Sequence, residues 1–216
     1  MNRAKLIKAG DVIMSTIEQL KTQYIKGIYE TKALLIKEEA FTLQSGKKSH
    51  LYLNHRHFLS KALYLSLIAT IYSEFAKSMV GDYVLGAVDS IMSPIIVGAM
   101  SILLNRDYVV IRNVSMSHGT QEAIYGEIKH PILLVDDMTS TGGTLIEAAK
   151  LIRARGGVVS FGIISAYREE SAIKNLKQHG IEPICIASFK EIIDFLYPQL
   201  SQREKEIVSH YPLIMD

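Results

Sequence analysis

The residues best suited to chemistry lie between positions 132 and 150, in the stretch ILLVDDMTSTGGTLIEAAK. An apolar run leads directly into two adjacent carboxylates, Asp136 and Asp137. A cluster of hydroxyls and glycines follows, and then a segment with helical spacing. Two like charges side by side repel each other, so their position beside a loop rich in anion donors requires a chemical explanation.

The loop after the acid pair is suited to bind a phosphate group. The apolar run predicts a strand, and a helix is predicted to begin near Thr144. Backbone N–H groups at the start of that helix, together with loop hydroxyls, would donate hydrogen bonds to an anion, and glycines would let the backbone close around it. The residues of this predicted phosphate cradle are Thr139, Ser140, Thr141, Gly142, Gly143 and Thr144.

The acid pair suits a sugar better than a phosphate. Carboxylates repel phosphate, but they accept hydrogen bonds from vicinal hydroxyls, directly or through Mg²⁺ and its waters. A phosphate cradle beside such a pair indicates a ribose 5-phosphate site. The alternative is a strand ended by acids, with a threonine cap and a glycine turn and no ligand, but an ordinary turn seldom needs so many anion donors. Other phosphate motifs are absent, since the sequence has no GxxxxGK[ST] and no GxGxxG after a strand.

The bulk composition favours one α/β domain that can bury a core. The chain has 216 residues, of which 48% are hydrophobic and 21% charged. Its net charge of +2 argues against nucleic acid as a partner. The single cysteine, Cys185, excludes an intramolecular disulfide and fits a reducing compartment. No apolar run approaches the ~20 residues that span a bilayer. We therefore expect a cytoplasmic protein with no membrane partner.

Strand-like and helix-like segments alternate along most of the chain, which predicts an open, mostly parallel sheet. The predicted strands are 83–88, 107–112, 131–136, 158–165 and 183–187. The predicted helices between and after them are 94–104, 145–155, 169–179 and one or two over 188–211. The polar interval 113–130 lacks helical periodicity, and a long irregular loop in a compact domain is often functional.

The N-terminal part of the chain is predicted to be helical, with a hairpin after it. A helix over 11–25 has Ile13, Ile17, Leu20 and Tyr24 on one stripe. A second helix is predicted over 29–39, a hairpin over 41–54 and a long amphipathic helix over 64–79.

The segment VDDMTSTGGT resembles the motif by which type I phosphoribosyltransferases bind the 5-phosphate of phosphoribosyl pyrophosphate. Four further segments narrow the resemblance to the orotate phosphoribosyltransferase family. FTLQSGKKSHLYLNHR looks like the hairpin over the orotate site, and IRNVSMSHGTQEAIYGE looks like the mobile catalytic loop. IISAYREE is similar to a strand end with an orotate-contacting arginine, and SFKEII to the start of the C-terminal helix.

The resemblance implies a fold, a reaction and a set of site residues. The fold would be a twisted, mostly parallel sheet with helices on both faces, a hairpin hood over about 28–60 and a mobile loop over about 113–126. Residues 1–27 would form a helical extension to a domain of residues 28–216. The reaction would transfer ribose 5-phosphate from phosphoribosyl pyrophosphate to orotate, with Mg²⁺ carried by the pyrophosphate, in a homodimer. The implied catalytic residues are Asp136, Asp137, Arg112 and His118, and the base-binding residues are Arg168, Gln44 and Tyr52.

Several positions depart from the family pattern. Asn113 and Met116 take the places of two loop lysines. A thioether cannot neutralise a leaving pyrophosphate, and such an electrostatic contact is worth ~3–4 kcal/mol. In the hairpin, Gln44 replaces a lysine and His50 a proline, while Asp89 occupies the expected pyrophosphate loop. The basic residues that would compensate are Lys47, Lys48, Arg112, His118 and Lys129.

These departures leave alternatives open. One is a slower enzyme, and another is a phosphoribosyltransferase for a different base. A third is a binding or regulatory protein that keeps the ribose phosphate site and has lost the chemistry. His55 and His57 resemble a metal-ligand pair but have no carboxylate nearby in the sequence, so a half-buried strand is the favoured interpretation of that segment.

Overall fold

A computed structural model describes residues 3–43, 46–79, 81–112 and 123–210, with side chains from residue 17 onward. Its helices are α1 (Arg3–Glu30), α2 (His55–Leu59), α3 (Ala62–Lys77), α4 (Ser93–Leu104), α5 (Gly143–Arg153), α6 (Glu170–Gln178), α7 (Phe189–Leu196) and α8 (Gln202–His210). Its strands are β1 (Leu34–Thr42), β2 (Lys48–Leu53), β3 (Val84–Ala87), β4 (Tyr108–Ile111), β5 (Ile124–Tyr125), β6 (Ile132–Val135), β7 (Met138–Thr139), β8 (Val159–Tyr167) and β9 (Glu182–Ser188).

The central sheet is mostly parallel, as predicted. Strand β3 lies between β4 and β6, and β8 pairs with β6 and β7 on one side and with β9 on the other. Only the short β5 runs antiparallel, against β4, among the described strands of this sheet. The four-residue strands β3 and β6 are buried along their whole length, which is typical of strands covered on both faces.

Two separate hydrophobic clusters show that helices cover both faces of the sheet. One cluster joins α1, α3, α4 and α7 to one face and includes Tyr72, Met100 and Phe189. The other joins α5 and α6 to the opposite face and includes Leu145 and Leu176. Helix α5 packs on the sheet through Leu145, Ala148, Ala149 and Ile152, which are all buried.

The prediction of a second helix over 29–39 is wrong. Helix α1 continues to Glu30 and ends in a Schellman motif, in which Lys32 takes a left-handed conformation and the Ala33 amide donates to the Ile28 carbonyl at 3.0 Å. Residues 34–42 then form β1, which pairs antiparallel with β2. Local propensity is overridden here because pairing with β2 supplies packing that the segment lacks by itself.

Helix α1 belongs to the main core through its last two turns. Tyr24, Ile25 and Ile28 are buried against α3 and α7. The helix runs unbroken through residue 27, where the extension was predicted to end. None of the helices in the described part of the chain is both long enough and apolar enough to cross a membrane.

Candidate functional site

A cavity of about 620 Å³ lies beyond the carboxyl ends of β3, β6 and β8. This is where ligands bind in open parallel sheets. One wall is the segment 89–92 after β3, and a second is the segment after β6 that begins with the acid pair. The hairpin of β1 and β2 and the start of α2 form the third wall, and Arg168 lies at the end of β8.

Asp136 is the inner member of the acid pair. It is 3% exposed, and its Oδ1 accepts hydrogen bonds from the Ser90 hydroxyl at 2.8 Å and the Asp137 amide at 2.9 Å. Its carbonyl accepts from the buried Tyr72 hydroxyl at 2.8 Å. Burial, followed by the neighbouring charge of Asp137, holds the pKa of Asp136 well above its ordinary value. Asp136 is therefore the member of the pair that holds a proton more readily.

Asp137 is the member that carries the negative charge. Its Oδ2 lies 3.3 Å from Nδ1 of His55. Burial alone would raise the pKa of Asp137, but the hydrogen bond and the charge of His55, with smaller contributions from Asp136 and the Met138 amide, outweigh it and lower the pKa. Of the two acids, Asp137 therefore ionises more readily, and the negative charge that the pair presents to the cavity lies mainly on it.

The predicted phosphate cradle has the local geometry of an open helix N-terminus. Gly142 has a φ of +83°, and its amide donates to the Thr139 hydroxyl at 2.8 Å. The first backbone hydrogen bond of α5 runs from Ile146 to Gly142, so the amides of residues 143–145 precede it. Thr139, Ser140, Thr141, Gly143 and Thr144 line the cavity.

Gly142 is required for this loop on two grounds. Its positive φ is a conformation that other residues rarely adopt. A Cβ added there would lie 2.9 Å from Cγ of Leu176 in α6. Helix α6 also holds the loop from outside, because Nδ2 of Asn175 donates to the Thr141 carbonyl at 2.8 Å. Gly142 therefore shapes the cradle from behind, without lining the cavity.

Arg168 joins the sheet to the hairpin at the far end of the cavity. It is 7% exposed, and its Nη1 donates to the Ser49 hydroxyl and the Leu51 carbonyl, each at 3.1 Å. The guanidinium lies over the Phe189 ring, 4.2 Å from its centroid. Burial lowers the pKa of Arg168 to about 10, so the group stays charged at neutral pH. Tyr52, half-buried on β2, lines the same region.

The structure does not bring every predicted site residue into the cavity. Arg112 follows β4, where its amide donates to the Ala123 carbonyl at 2.8 Å, and it is not among the residues that line the cavity. Gln44 and His118 lie outside the described residues, as do Asn113 and Met116.

Several basic residues named as compensating cations have other contacts. Lys47 forms an ion pair with Glu169 at 3.5 Å, and Lys129 pairs with Glu127. His50 is buried in the hairpin, with its Nδ1 3.0 Å from the Lys37 carbonyl. His50, which stands where the family has a proline, therefore contributes to the packing of the hairpin.

The segment with His55 and His57 is helix α2, so the prediction of a half-buried strand is wrong. The Asn54 side chain caps this helix by accepting from the His57 amide at 3.2 Å. His57 is exposed, whereas His55 is 3% exposed and touches Asp137. Among the described residues there is no group of three or more His, Cys, Asp or Glu side chains that could hold a metal ion.

Four residues around the acid pair have contacts that the sequence does not indicate. Ser90 follows Asp89 in the expected pyrophosphate loop, but spacing does not predict its bond to Asp136. Tyr72 and Tyr24 sit on amphipathic helices, where an aromatic residue normally indicates only core packing. In the sequence His55 resembles half of a metal-ligand pair with His57, because its carboxylate partner is 82 residues away.

Comparison with known proteins gives a consistent set of relatives, although no protein-family model matches the chain. The orotate phosphoribosyltransferase of Methanocaldococcus jannaschii is 32% identical over 157 residues, which cover 70% of this chain and 86% of the relative. That of Picrophilus torridus is 34% identical over 160 residues, which cover 73% of this chain and 93% of the relative.

Solved structures confirm the fold. The orotate phosphoribosyltransferase of Aeropyrum pernix has a TM-score of 0.65 at 20% identity and covers 81% of this chain and 99% of its own. Leishmania donovani UMP synthase has a TM-score of 0.72 at 22% identity, over 87% of this chain and 41% of that longer one. A Mycobacterium tuberculosis orotate phosphoribosyltransferase in complex with 5-phospho-α-D-ribosyl 1-diphosphate has a TM-score of 0.62 at 16% identity, over 80% of this chain and 98% of its own.

Proposed function

The chain belongs to the orotate phosphoribosyltransferase family, and on that basis we propose how its cavity performs the reaction. The protein transfers the ribose 5-phosphate group of phosphoribosyl pyrophosphate to orotate, which gives orotidine 5′-phosphate and pyrophosphate in pyrimidine nucleotide biosynthesis. The proposed binding sites for the substrates rest on one observation. The acid pair lies between the open N-terminus of α5 and the hairpin that Arg168 contacts.

The ribose 5-phosphate group lies along the segment after β6. The phosphate accepts hydrogen bonds from the first amides of α5 and from the hydroxyls of Ser140, Thr141 and Thr144, which line the cavity. The ribose diol donates to the ionised Asp137. Because the pKa of Asp136 is raised and that of Asp137 is lowered, the negative charge of the pair lies mainly on Asp137, beside the diol.

Catalysis then consists of positioning and electrostatics. The bond from C1′ to pyrophosphate breaks with its electron pair on the leaving oxygen. A ring nitrogen of orotate forms the new bond to C1′ with its electron pair and loses its proton, which the released pyrophosphate can accept. Positive charge on the sugar ring grows in between, and the carboxylate of Asp137 beside the diol stabilises it. Holding both reactants in one cavity removes most of the entropic barrier to their meeting.

The residues of the cavity fit a Mg²⁺ ion that arrives with the substrate. Mg²⁺ commonly keeps several waters and binds through one or two carboxylates plus substrate phosphates. The exposed Asp89 lines the cavity on the wall after β3, and its carboxylate is the candidate partner for a water of the ion. When bound, the ion would neutralise charge on the leaving pyrophosphate.

Orotate lies at the hairpin end of the cavity. Its carboxylate group faces the guanidinium of Arg168, which stays charged although it is buried. Planar guanidinium and carboxylate groups match in geometry, and a buried pair of this kind is strong. Tyr52 forms the adjacent wall. This arrangement favours an acidic pyrimidine over an uncharged base.

A homodimer is the proposed assembly, since one face of α4 is apolar and exposed. Ile95, Ile102 and Leu103 are 46%, 84% and 55% exposed. An apolar patch of this kind on a soluble domain is typical of a subunit interface. We expect sedimentation equilibrium of the wild-type chain to give the mass of a dimer, and a monomer would contradict this assembly.

The experiment that tests the function follows orotate consumption and pyrophosphate release with phosphoribosyl pyrophosphate and Mg²⁺. We expect turnover with orotate and at least tenfold lower kcat/KM with uracil, because uracil has no carboxylate to bind the guanidinium of Arg168 and a hydrogen bond to a charged group is worth roughly 1.5–3 kcal/mol. Adenine and hypoxanthine serve as further bases. The absence of orotate turnover at high enzyme concentration would refute the function, and a preference for another base would refute the proposed role of Arg168.

A cytoplasmic location, which the single cysteine favours, stays a prediction.

A further inference from the structure

A buried chain of three side chains connects the N-terminal helix to the cavity. The Tyr24 hydroxyl on α1 lies 3.3 Å from Nε2 of His55. Nδ1 of the same ring lies 3.3 Å from Oδ2 of Asp137. Tyr24 is 0% exposed and His55 is 3% exposed, so water does not compete for these contacts. The three residues come from α1, α2 and the end of β6, and the contacts span 31 and 82 positions of sequence.

The chemistry of the three groups determines which of them donates. An ionised carboxylate only accepts hydrogen bonds, so Nδ1 of His55 must carry the proton that faces Asp137. Burial, followed by the charge of Asp137, raises the pKa of Tyr24 far above its ordinary value, so its hydroxyl stays neutral. A neutral hydroxyl donates to an unprotonated Nε2 and accepts from a protonated one. Tyr24 therefore supports the donating orientation of the ring in either protonation state.

Aromatic packing holds the plane of the imidazole. The His55 ring stacks on Phe58, with centroids 5.4 Å apart, and meets the Tyr24 ring edge-on at 5.8 Å. Tyr24 in turn packs edge-on against Phe58 at 5.5 Å. Helix α1, which presents Tyr24, is tied to α7 by an ion pair of Lys21 and Glu191 at 2.8 Å. The ring thus has little freedom to turn away from the carboxylate.

We propose that His55, oriented by Tyr24, is a positioning residue that aims the carboxylate of Asp137 at the ribose diol. The hydrogen bond from Nδ1 fixes the position of Oδ2, and the carboxylate, which is 17% exposed and lines the cavity, keeps lone pairs for a substrate hydroxyl. Helix α1 is then part of the substrate-binding apparatus rather than an appendage. The proposal rests on the proposed role of Asp137, and it adds two residues and a helix to the site.

The test compares three variants that remove different links of the chain. His55→Leu removes the donor to Asp137, whereas His55→Asn keeps one, since Nδ2 of asparagine and Nδ1 of histidine both lie two bonds from Cβ. Tyr24→Phe removes only the hydroxyl. Tyr64→Phe is the matched control, because Tyr64 stacks on the other side of the same cluster, 4.6 Å from Phe58, and its hydroxyl bonds Glu30 instead.

We expect His55→Leu to lower kcat/KM for phosphoribosyl pyrophosphate about 10- to 100-fold, the usual effect of losing a residue that orients a reactive group. Tyr24→Phe should lower it about three- to tenfold, as for one hydrogen bond. His55→Asn should recover most of the loss, and Tyr64→Phe should match the wild type. The KM for orotate should stay within about twofold throughout, because the base lies at the other end of the cavity.

A double-mutant cycle separates positioning from packing. If Tyr24 acts through the imidazole, Tyr24→Phe should have no further effect on kcat/KM in the His55→Asn background. A purely structural role predicts the opposite, namely that Tyr24→Phe is equally harmful in both backgrounds and that each loss follows the fall in Tm. That result, or full activity of His55→Leu, would overturn the proposal.

Calorimetry with ribose 5-phosphate keeps this test independent of turnover. We expect His55→Leu to weaken binding at least tenfold while His55→Asn binds within a fewfold of the wild type. Equal binding by all variants would overturn the inference even in an active enzyme. A wild type that binds ribose 5-phosphate in this His55-dependent way but does not turn over orotate would instead support the inference and refute the proposed function.

Discussion

Replacing Asp137 with asparagine is expected to lower kcat/KM for phosphoribosyl pyrophosphate by about two to three powers of ten. The substitution removes the carboxylate that is proposed to accept the ribose diol and whose pKa is lowered. One end of the new amide must face Nδ1 of His55, which lies 3.3 Å from Oδ2 of Asp137. If the amide nitrogen faces Nδ1, two donors meet. If the amide oxygen faces Nδ1, the sugar hydroxyl meets a donor instead of an acceptor. Steady-state kinetics with saturating orotate measures the effect.

Asp136→Asn is the informative partner of that variant. Asp136 favours its neutral form, and asparagine is a neutral side chain of the same shape. Its Oδ1 can still accept from Ser90 and from the Asp137 amide. We therefore expect a loss of about tenfold or less. Asp194→Asn is the control, because it removes an exposed ion pair with Lys190, and it should match the wild type. Equal losses at 136 and 137 would contradict the assignment of charge within the pair.

Replacing Arg168 with methionine is expected to lower kcat/KM for orotate by about two to three powers of ten. Removing one partner of a buried charge pair costs roughly 2–5 kcal/mol, because the orotate carboxylate would be left without a countercharge. The free energy of unfolding should also fall by roughly 1–3 kcal/mol, since the Ser49 hydroxyl and the Leu51 carbonyl each lose one of their donors. Enzyme assays and chemical denaturation measure the two effects.

Arg153→Met is the matched control for this variant. Nη1 of Arg153 donates to the His179 carbonyl and Nη2 to the Val159 carbonyl, each at 2.7 Å, and the residue does not line the cavity. It should therefore lose stability while keeping its kcat/KM for orotate. Arg168→Lys keeps the charge but loses the planar fork, so an intermediate loss is expected. If Arg168→Met lost only stability, as Arg153→Met should, its role would be confined to holding the hairpin.

The strands and helices of the central sheet could be predicted because their cause is local. The runs that became β3 and β6 are buried over their whole length and β8 over 162–166, and the helices between them carry a periodic apolar face. The phosphate cradle was predictable for the same reason, since its hydroxyls and glycines are consecutive and the positive φ at Gly142 requires a glycine.

The N-terminal region shows where local patterns are insufficient. Residues 34–40 suit a helix as well as a strand when taken alone, and the pairing of Leu34 with Leu53 and of Ile36 with Leu51 decides between them. Likewise, His55 beside His57 resembles half of a metal site until the fold places Asp137 against its ring. Both outcomes depend on partners that are distant in sequence.

The sequence by itself determined the order of the main strands and helices along the chain, the acid pair and the loop that is proposed to bind phosphate. Each of these features depends on residues that are neighbours in the sequence. Only the tertiary structure decided that the pKa of Asp137 is lowered and that of Asp136 raised, and that His55 contacts both Asp137 and Tyr24. The physical reason is that burial and hydrogen-bond partners set the pKa and the orientation of a carboxylate. Those surroundings arise only when α1, α2 and β6 come together.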